Sequence, residues 1–452
     1  MFHLLTLLAF AEFAAPTGAD GPRPNVVRLM PDDMGWGDPR CFNADSPIRT
    51  PNIDAMAAAG LKFNRFYAAA PVCSPTRGAC LTARHPFRYG VTSANVGHMK
   101  PEERTLAELL QKHGYTTGHF GKWHLGTLTT EVRDGRRGGR KNEHFSPPWK
   151  NGFDASFSAE VQMPTWDPMK NQNFPSKYWT GPEEFAKTNL DGDDSRVIMD
   201  RAVPFIEQAV KAKKPFFAVV WFHAPHAPVV AGPEYRKLYA KFGEDEQHYY
   251  GCITALDEQV GRLRKTLKDL GVANDTMVWF CSDNGPEGAK QQGRNRGSAG
   301  PFRGRKRSLY EGGIRVPGIL EWPAQVKAGS TTDFAAVTSD YLPTILDALQ
   351  LPVPDKRPLD GVSLIPLLEK RQTERAKPIG FQSGNQLAWS AAKYKLYSSN
   401  GGKTWELYDL SADPGETRDI AAMNADRVRM MAAELEEWRR SCAASDGGAD
   451  YR

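Results

Sequence analysis

The chain has 452 residues, 40% hydrophobic and 25% charged, an ordinary globular composition that suits one large α/β domain and a smaller one. A formal net charge of +5, dispersed along the chain, is too small to call for a nucleic-acid partner but suits an anionic substrate. Six cysteines are too few for a disulfide scaffold of this size, and no CxxC spacing points to zinc.

In chain order, Met1 to Ala19 reads as an export signal: Leu4 to Ala15 is an apolar core and Thr17-Gly18-Ala19 a small-residue cleavage site. The expected location is therefore secreted or periplasmic. No later run approaches the roughly 20 apolar residues of a transmembrane helix. Asn25 to Met30 has strand character and ends in Pro31-Asp32-Asp33. Paired carboxylates at the end of a buried strand are costly unless a cation neutralises them. Thr50-Pro51 opens a helix that Gly60 stops, and Lys62 to Ala70 is a second strand-like run.

Cys73-Ser74-Pro75-Thr76-Arg77 follows. Pro is favoured at the first helical position, which puts Cys73 at a helix N-terminus, where free amides and the dipole favour an anion. Arg77, one turn on, can offer a planar fork to the same spot. A buried structural thiol is the plainer reading of a lone Cys here.

Thr105 and Glu108 form a capping box, and the helix through Leu106, Leu109 and Leu110 closes at His113-Gly114. The strand Tyr115 to Phe120 runs into Gly121-Lys122-Trp123-His124, whose spacing puts Lys122 and His124 on one side of an extended segment. Residues 131–190 read as an irregular insertion: a basic loop (Arg133, Arg136, Arg137, Arg140, Lys141), then aromatics including Trp149, Trp166, Tyr178 and Trp179 that suit a substrate rim. Ser195 to Ala212 is a helix with a kink expected at Pro204. Phe216 to Phe222 is a buried strand ending in His223-Ala224-Pro225-His226-Ala227-Pro228. A helix from Tyr249 to Leu270 leads to a second buried strand, Thr276 to Cys281, which ends in Ser282-Asp283-Asn284-Gly285. Asp and Asn there supply hard oxygen ligands for Ca²⁺ or Mg²⁺, or form a simple turn. Beyond Pro354, short amphipathic strands between Lys377 and Leu410 and the helix Arg427 to Arg440 describe a small antiparallel sheet with a packed helix.

The polar clusters follow strands, as expected of an α/β sheet whose ligands gather at the strands' carboxyl ends. In combination, Cys73-x-Pro75-x-Arg77, Asp32-Asp33, Gly121-Lys122-Trp123-His124, Ser282-Asp283-Asn284-Gly285 and Tyr310-Glu311-Gly312-Gly313-Ile314-Arg315 resemble the signatures of the formylglycine-dependent (type I) sulfatases. The overall pattern is similar to the arylsulfatase A and N-acetylgalactosamine-6-sulfatase types.

The resemblance implies an alkaline-phosphatase-like sandwich: a large mixed, mostly parallel sheet flanked by helices, with a small C-terminal antiparallel subdomain. The expected division is a catalytic domain over 22–365 and a small domain over 366–452. The family pattern further implies that a maturation enzyme converts Cys73 to formylglycine (3-oxoalanine). Asp32, Asp33, Asp283 and Asn284, with residue 73, would hold Ca²⁺ (or Mg²⁺). Arg77 and Lys122 would stabilise the nucleophile, and His124 would assist breakdown of the enzyme-bound sulfate. His226 (chosen over His223 for its Pro-His-x-Pro setting) and Lys306 would bind the sulfate. The expected activity is sulfuric ester hydrolysis on sulfated carbohydrates. Its alternatives are a generic arylsulfatase, a phosphatase or phosphonate monoester hydrolase on the same scaffold, or a silent binder of sulfated glycans.

Overall fold

A computed structural model describes residues 23–137, 143–170, 175–353 and 356–451. The expected export signal, and Arg140 and Lys141 of the basic loop, lie outside the described residues.

Eleven strands among the described residues form the central sheet. The first six are β1 (Asn25–Met30), β2 (Leu61–Tyr67), β3 (Thr116–Lys122), β4 (Ala155–Ala159), β5 (Trp179–Gly181) and β6 (Glu184–Phe185). Then come β7 (Phe216–Trp221), β8 (Thr276–Cys281), β9 (Arg315–Glu321), β10 (Ser330–Thr332) and β11 (Ala336–Val337). Across the sheet the order is β10-β2-β9-β8-β1-β7-β3-β4-β5-β6, with β11 also beside β2. The run β8-β1-β7-β3-β4 is parallel, whereas β9 is antiparallel to both its neighbours.

Seven helices carry the packing: α1 (Pro51–Ala59), α2 (Cys73–Thr82), α3 (Leu106–Lys112), α4 (Asp194–Lys211), α5 (Glu244–Asp269), α6 (Tyr341–Ala348) and α7 (Ala425–Asp446). Every residue of β1, β7 and β8 is buried, because the sheet is covered on both faces. Side chains alternate between those faces. Val27, Val220 and Phe280 meet Ile53, Ile198 and Leu256 of α1, α4 and α5. Val26, Val219 and Trp279 meet Leu81, Leu110 and Ile345 of α2, α3 and α6. Each such large apolar side chain contributes roughly 1.5–3 kcal/mol by leaving water.

A second sheet is an antiparallel meander of β12 (Ile379–Ser383), β13 (Gln386–Ala391), β14 (Tyr394–Ser398) and β15 (Glu406–Asp409). One face packs Phe381, Ala388 and Tyr408 against Tyr67, Leu309 and Ile314 of the larger unit. The other packs Leu387, Leu396 and Leu407 against Met431 and Leu435 of α7. A buried ionic latch joins the two units: Lys395 Nζ lies 2.9 Å from Glu311 Oε1 and 2.8 Å from Glu416 Oε1, all three fully enclosed. The architecture is the α/β sandwich expected from the sequence.

Three expectations are corrected. The helix expected from Tyr249 starts at Glu244, where Glu244, Asp245 and Glu246 complement the N-terminal dipole end. The segment 131–190 is not wholly irregular, since β4 extends the parallel sheet beside β3. Its sequence Ala-Ser-Phe-Ser-Ala lacks the apolar run that marks β7. The aromatics of that segment do not all form a rim either. Tyr178 and Trp179 are buried, Tyr178 stacking on Phe157 at 4.1 Å and Trp179 bonding Asp134 Oδ2 through its indole.

Candidate active site

Topology gathers the site. β8, β1, β7 and β3 are adjacent and parallel, so the segments leaving their carboxyl ends share one edge. Asp32 and Asp33 leave β1, His226 follows β7, Asp283 and Asn284 leave β8, and Lys122 is the last residue of β3. β2 runs in the same direction and delivers Cys73; β9 runs oppositely, so Lys306 and Glu311, which precede it, reach that edge too.

Close backbone approaches fix the loops. Gly121 takes φ +105°, and a Cβ there would sit 1.9 Å from the Trp221 carbonyl oxygen. The Gly285 amide donates to the Gly313 carbonyl at 2.9 Å, and a Cβ on Gly285 would meet Gly312 O at 2.0 Å. Only glycine allows the two loops to touch.

α2 begins at Cys73, not at Pro75, and all ten of its residues are buried. Val72 supplies no capping side chain. Two contacts pin this first turn. Thr76 Oγ1 donates to Ala70 O at 2.9 Å, and Arg137 Nη2 donates to Ser74 Oγ at 3.0 Å. Arg137 is itself enclosed and paired with Glu160 at 2.7 Å, so this member of the basic loop is structural rather than solvated.

The expected site residues converge. Arg77 Nη2 lies 2.7 Å from Asp283 Oδ2 and 3.6 Å from Asp32 Oδ1, and its Nη1 donates to Lys122 O at 3.2 Å. Lys122 Nζ lies 2.6 Å from Asp32 Oδ2. Lys306 Nζ contacts Asp33 Oδ1 at 2.7 Å and Glu287 Oε2 at 3.1 Å. Asn284 Nδ2 donates to Asp33 Oδ1 at 2.7 Å, and Asp33 N donates to Asp283 Oδ1 at 3.1 Å. His226 Nε2 is 3.5 Å from Asp33 Oδ2, while its Nδ1 meets Ala227 O at 2.7 Å. His223 instead bonds Asp194 Oδ2 at 2.9 Å, beside Tyr178. A cavity of about 420 Å³ opens over the group, lined by Cys73, His124, His226, Lys306, Arg136 and Arg307.

His124 joins this cavity by a different route from the one its spacing suggested. The extended chain ends at Lys122, and His124 takes a left-handed φ of +57°. Its Nε2 meets Asn95 Oδ1 at 2.8 Å.

The charges are strongly coupled. Burial opposes ionisation of Asp32, but Lys122, His226, Arg77 and Lys306 outweigh it and hold its carboxyl well below the usual range. Burial and the neighbouring Asp32 push Asp283 up to about 7, although Arg77 bridges it. Burial pushes the Cys73 thiol up to about 12, against the pull of Lys122 and Lys306. A thiol so placed is protonated at neutral pH and is a poor nucleophile. Burial lowers His226 to about 4; burial, with Lys122, Arg137 and Arg77 adding to it, also holds His124 well below the usual imidazole range.

The donor set fits a hard divalent cation. One donor atom each from Asp32, Asp33, Cys73 and His226 lies within 4.8 Å of the others. Asp32 Oδ1 and Asn284 Oδ1 are buried without a hydrogen-bond partner. Carboxylate and amide oxygens suit Ca²⁺ or Mg²⁺, and the sulfur of Cys73 is the poorest match in the group.

Sequence reasoning missed Asn95, Glu287 and the Arg137–Ser74 contact. Glu287 follows the Ser-Asp-Asn-Gly turn by two residues, but nothing local marks it as the partner of Lys306. Ser383, at the end of β12, and Gly384, in the turn to β13, also line the cavity, bringing the small sheet to the site.

The chain matches known proteins over most of its length. The sulfatase family model matches residues 24–351, and that of the N-sulphoglucosamine sulphohydrolase C-terminal region matches residues 300–441. N-acetylgalactosamine-6-sulfatase of Sus scrofa is 35% identical over 442 residues, covering 92% of this chain and 79% of the relative. Steryl-sulfatase of Homo sapiens is 30% identical over 436 residues, covering 81% and 72%. The solved structure of Ps i-CgsB with k-i-k-neocarrahexaose superposes with a TM-score of 0.79 at 26% identity, covering 93% of both chains. Phosphonate monoester hydrolase of Agrobacterium radiobacter shares the fold, with a TM-score of 0.63 at 20% identity over 94% of this chain and 96% of that one. A cysteine-bearing helix start, set among buried carboxylates and lysines at one sheet edge, thus goes with matches spanning most of the chain: the protein belongs to the sulfatase family and is a sulfuric ester hydrolase.

Proposed function

We propose that the protein is an exported, formylglycine-dependent sulfatase that removes sulfate from a sulfated carbohydrate. The observation that carries the reading is the enclosed placement of Cys73 at a helix N-terminus among Asp32, Asp33 and His226. A thiol there is a weak nucleophile, whereas an oxygen-bearing residue would complete an oxygen-rich cation site. Formylglycine supplies, as its aldehyde hydrate, paired hydroxyls that an ordinary Cys or Ser lacks. The divalent cation supplies Lewis acidity toward a sulfate oxygen.

Asp32, Asp33, Asp283 and Asn284 would hold that cation, with residue 73 completing the set. Arg77 and Lys122, locked onto Asp283 and Asp32, present fixed positive charge beside residue 73. Lys306 and His226 flank Asp33 on the cavity side and would grip the sulfate oxygens. One of them would protonate the departing alcohol. His124, neutral in its cationic surroundings, is suited to accept a proton. Arg136 and Arg307 at the cavity wall favour an anionic saccharide, and a cavity of about 420 Å³ suits a sugar unit or two rather than a bare ion. A relative named N-acetylgalactosamine-6-sulfatase, and a structural neighbour solved in complex with k-i-k-neocarrahexaose, support the carbohydrate class.

The test is a panel of sulfated mono- and oligosaccharides, an aryl sulfate and an aryl phosphate, assayed for released anion. Sulfate release from a saccharide, abolished by Cys73→Ala, is the expected result. Preference for the phosphate ester, or turnover of the aryl sulfate alone, would overturn the assignment of substrate.

A further inference from the structure

The contact between His124 and Asn95 has no counterpart in the motifs that identify the family. His124 is 2% exposed, and its Nε2 lies 2.8 Å from Asn95 Oδ1. Its Nδ1 is buried with no hydrogen-bond partner. Of the two ring nitrogens, Nδ1 is therefore the one without a protein partner, and His124 lines the same cavity as Cys73. Burial, with the nearby charges of Lys122, Arg137 and Arg77 adding to it, holds the imidazole well below its usual range and so neutral. A neutral imidazole carries one hydrogen, and an amide oxygen only accepts, so Oδ1 opposite Nε2 places that hydrogen on Nε2.

The Asn95 segment is built to hold this contact. Asn95 takes a left-handed φ of +64°, a conformation Asn tolerates better than most residues. Two residues on, Gly97 O accepts from Arg137 Nε at 2.8 Å, and the same guanidinium reaches Ser74 beside Cys73. Met99 N donates to Leu125 O at 2.8 Å, which ties the segment to the residue after His124. His98, three residues after Asn95, meets His144 through their Nδ1 atoms at 3.2 Å.

We propose that Asn95 is a positioning residue that fixes the tautomer of His124, keeping hydrogen on Nε2 so that Nδ1 is the proton acceptor toward residue 73. This rests on the sulfatase reading for its consequence in turnover, but not for the tautomer itself. The chemistry it serves is one proton transfer: an O–H at residue 73 gives its proton to the Nδ1 lone pair, and its electron pair stays on oxygen.

The tautomer is read without substrate, by two-bond proton–nitrogen correlation NMR of protein labelled in its 10 histidines. The His124 signals are assigned by their loss in His124→Gln. The wild type is expected to show hydrogen on Nε2. Asn95→Leu, close in size but without an acceptor, should shift the ring toward hydrogen on Nδ1, and Asn95→Asp should keep it on Nε2. In turnover, Asn95→Leu should lose roughly 10- to 100-fold in kcat with KM changed less than about twofold, and Asn95→Asp should recover much of that loss. Hydrogen on Nδ1 in the wild type, as an amide turned the other way would give, overturns the proposal. So does an Asn95→Leu protein with unchanged tautomer and kcat. If Asn95→Leu does not fold, the wild-type and Asn95→Asp spectra decide alone. Failure of the sulfatase reading shows separately, as a wild type that releases no sulfate.

Discussion

Replacing Lys395 by Met tests how the small sheet is fastened beside the active site. The Lys395 ammonium is fully enclosed between Glu311 at 2.9 Å and Glu416 at 2.8 Å. Without it, Glu311 keeps the Tyr67 hydroxyl at 2.9 Å and Arg315 at 3.3 Å. Among the described residues, the Glu416 carboxylate then keeps the Glu311 amide, at 2.6 Å, and no paired cation. A buried carboxylate left without its counter-ion costs about 3–5 kcal/mol. With an unfolding entropy of about 2.1 cal/mol/K per residue, a chain this long loses about 1 °C of Tm per kcal/mol, so the shift should be about 3–5 °C. The double variant Lys395→Met/Glu416→Leu should recover most of it, because the stranded charge is gone and apolar packing replaces it. Turnover should fall with the single variant, since Glu311 lies five residues beyond Lys306 and the β12–β13 turn lines the cavity. Scanning calorimetry of both variants, above about pH 7 where Glu416 is ionised beside Lys395, is the assay. A single variant within about 1 °C of wild type, or a double variant no better than the single, would refute the latch.

Lys306→Ala should lower kcat/KM toward an aryl sulfate by roughly 10²–10³-fold, the usual loss for one fixed donor, with Lys306→Arg falling between. Prolonged chelation should abolish turnover and lower Tm, and Ca²⁺ or Mg²⁺ at about 100 times its Kd should restore about 2.7 kcal/mol of stability. An unchanged Tm after verified metal removal would count against the oxygen cluster as a cation site. Burial pushes Glu416 up to about 7, so the folded protein holds a proton there that the unfolded chain, near 4.5, releases. That contribution is full below about 4.5 and is lost as pH rises through about 7. Glu416→Gln should therefore flatten the fall of Tm between about pH 5 and about pH 8, and identical slopes in the two proteins would show that Glu416 does not titrate there.

Local chemistry made the site legible where the sequence carries both ends of an interaction near a strong strand. The runs at β1, β7 and β8 are uninterruptedly apolar, so the acidic and imidazole residues just after them stood out as a shared edge. Asn95, Glu287 and Arg137 were not legible, because each acts through a partner outside its own segment: Arg137 is 63 residues from Ser74, and Asn95 is 29 from His124. The strand β4 was hidden for a related reason. Its place in the sheet comes from pairing with β3 rather than from its own small, half-polar side chains. His124 shows the limit of period-two reasoning, since the chain turns left-handed there and the ring arrives by another path.

The central claim is that residue 73 does its chemistry as an aldehyde rather than as a thiol. Mass analysis of the peptide carrying Cys73-Ser74-Pro75-Thr76-Arg77, taken from enzyme of known specific activity, tests it most directly. The account predicts formylglycine at that position in proportion to activity across preparations. Fully active enzyme whose residue 73 is unmodified cysteine would contradict it.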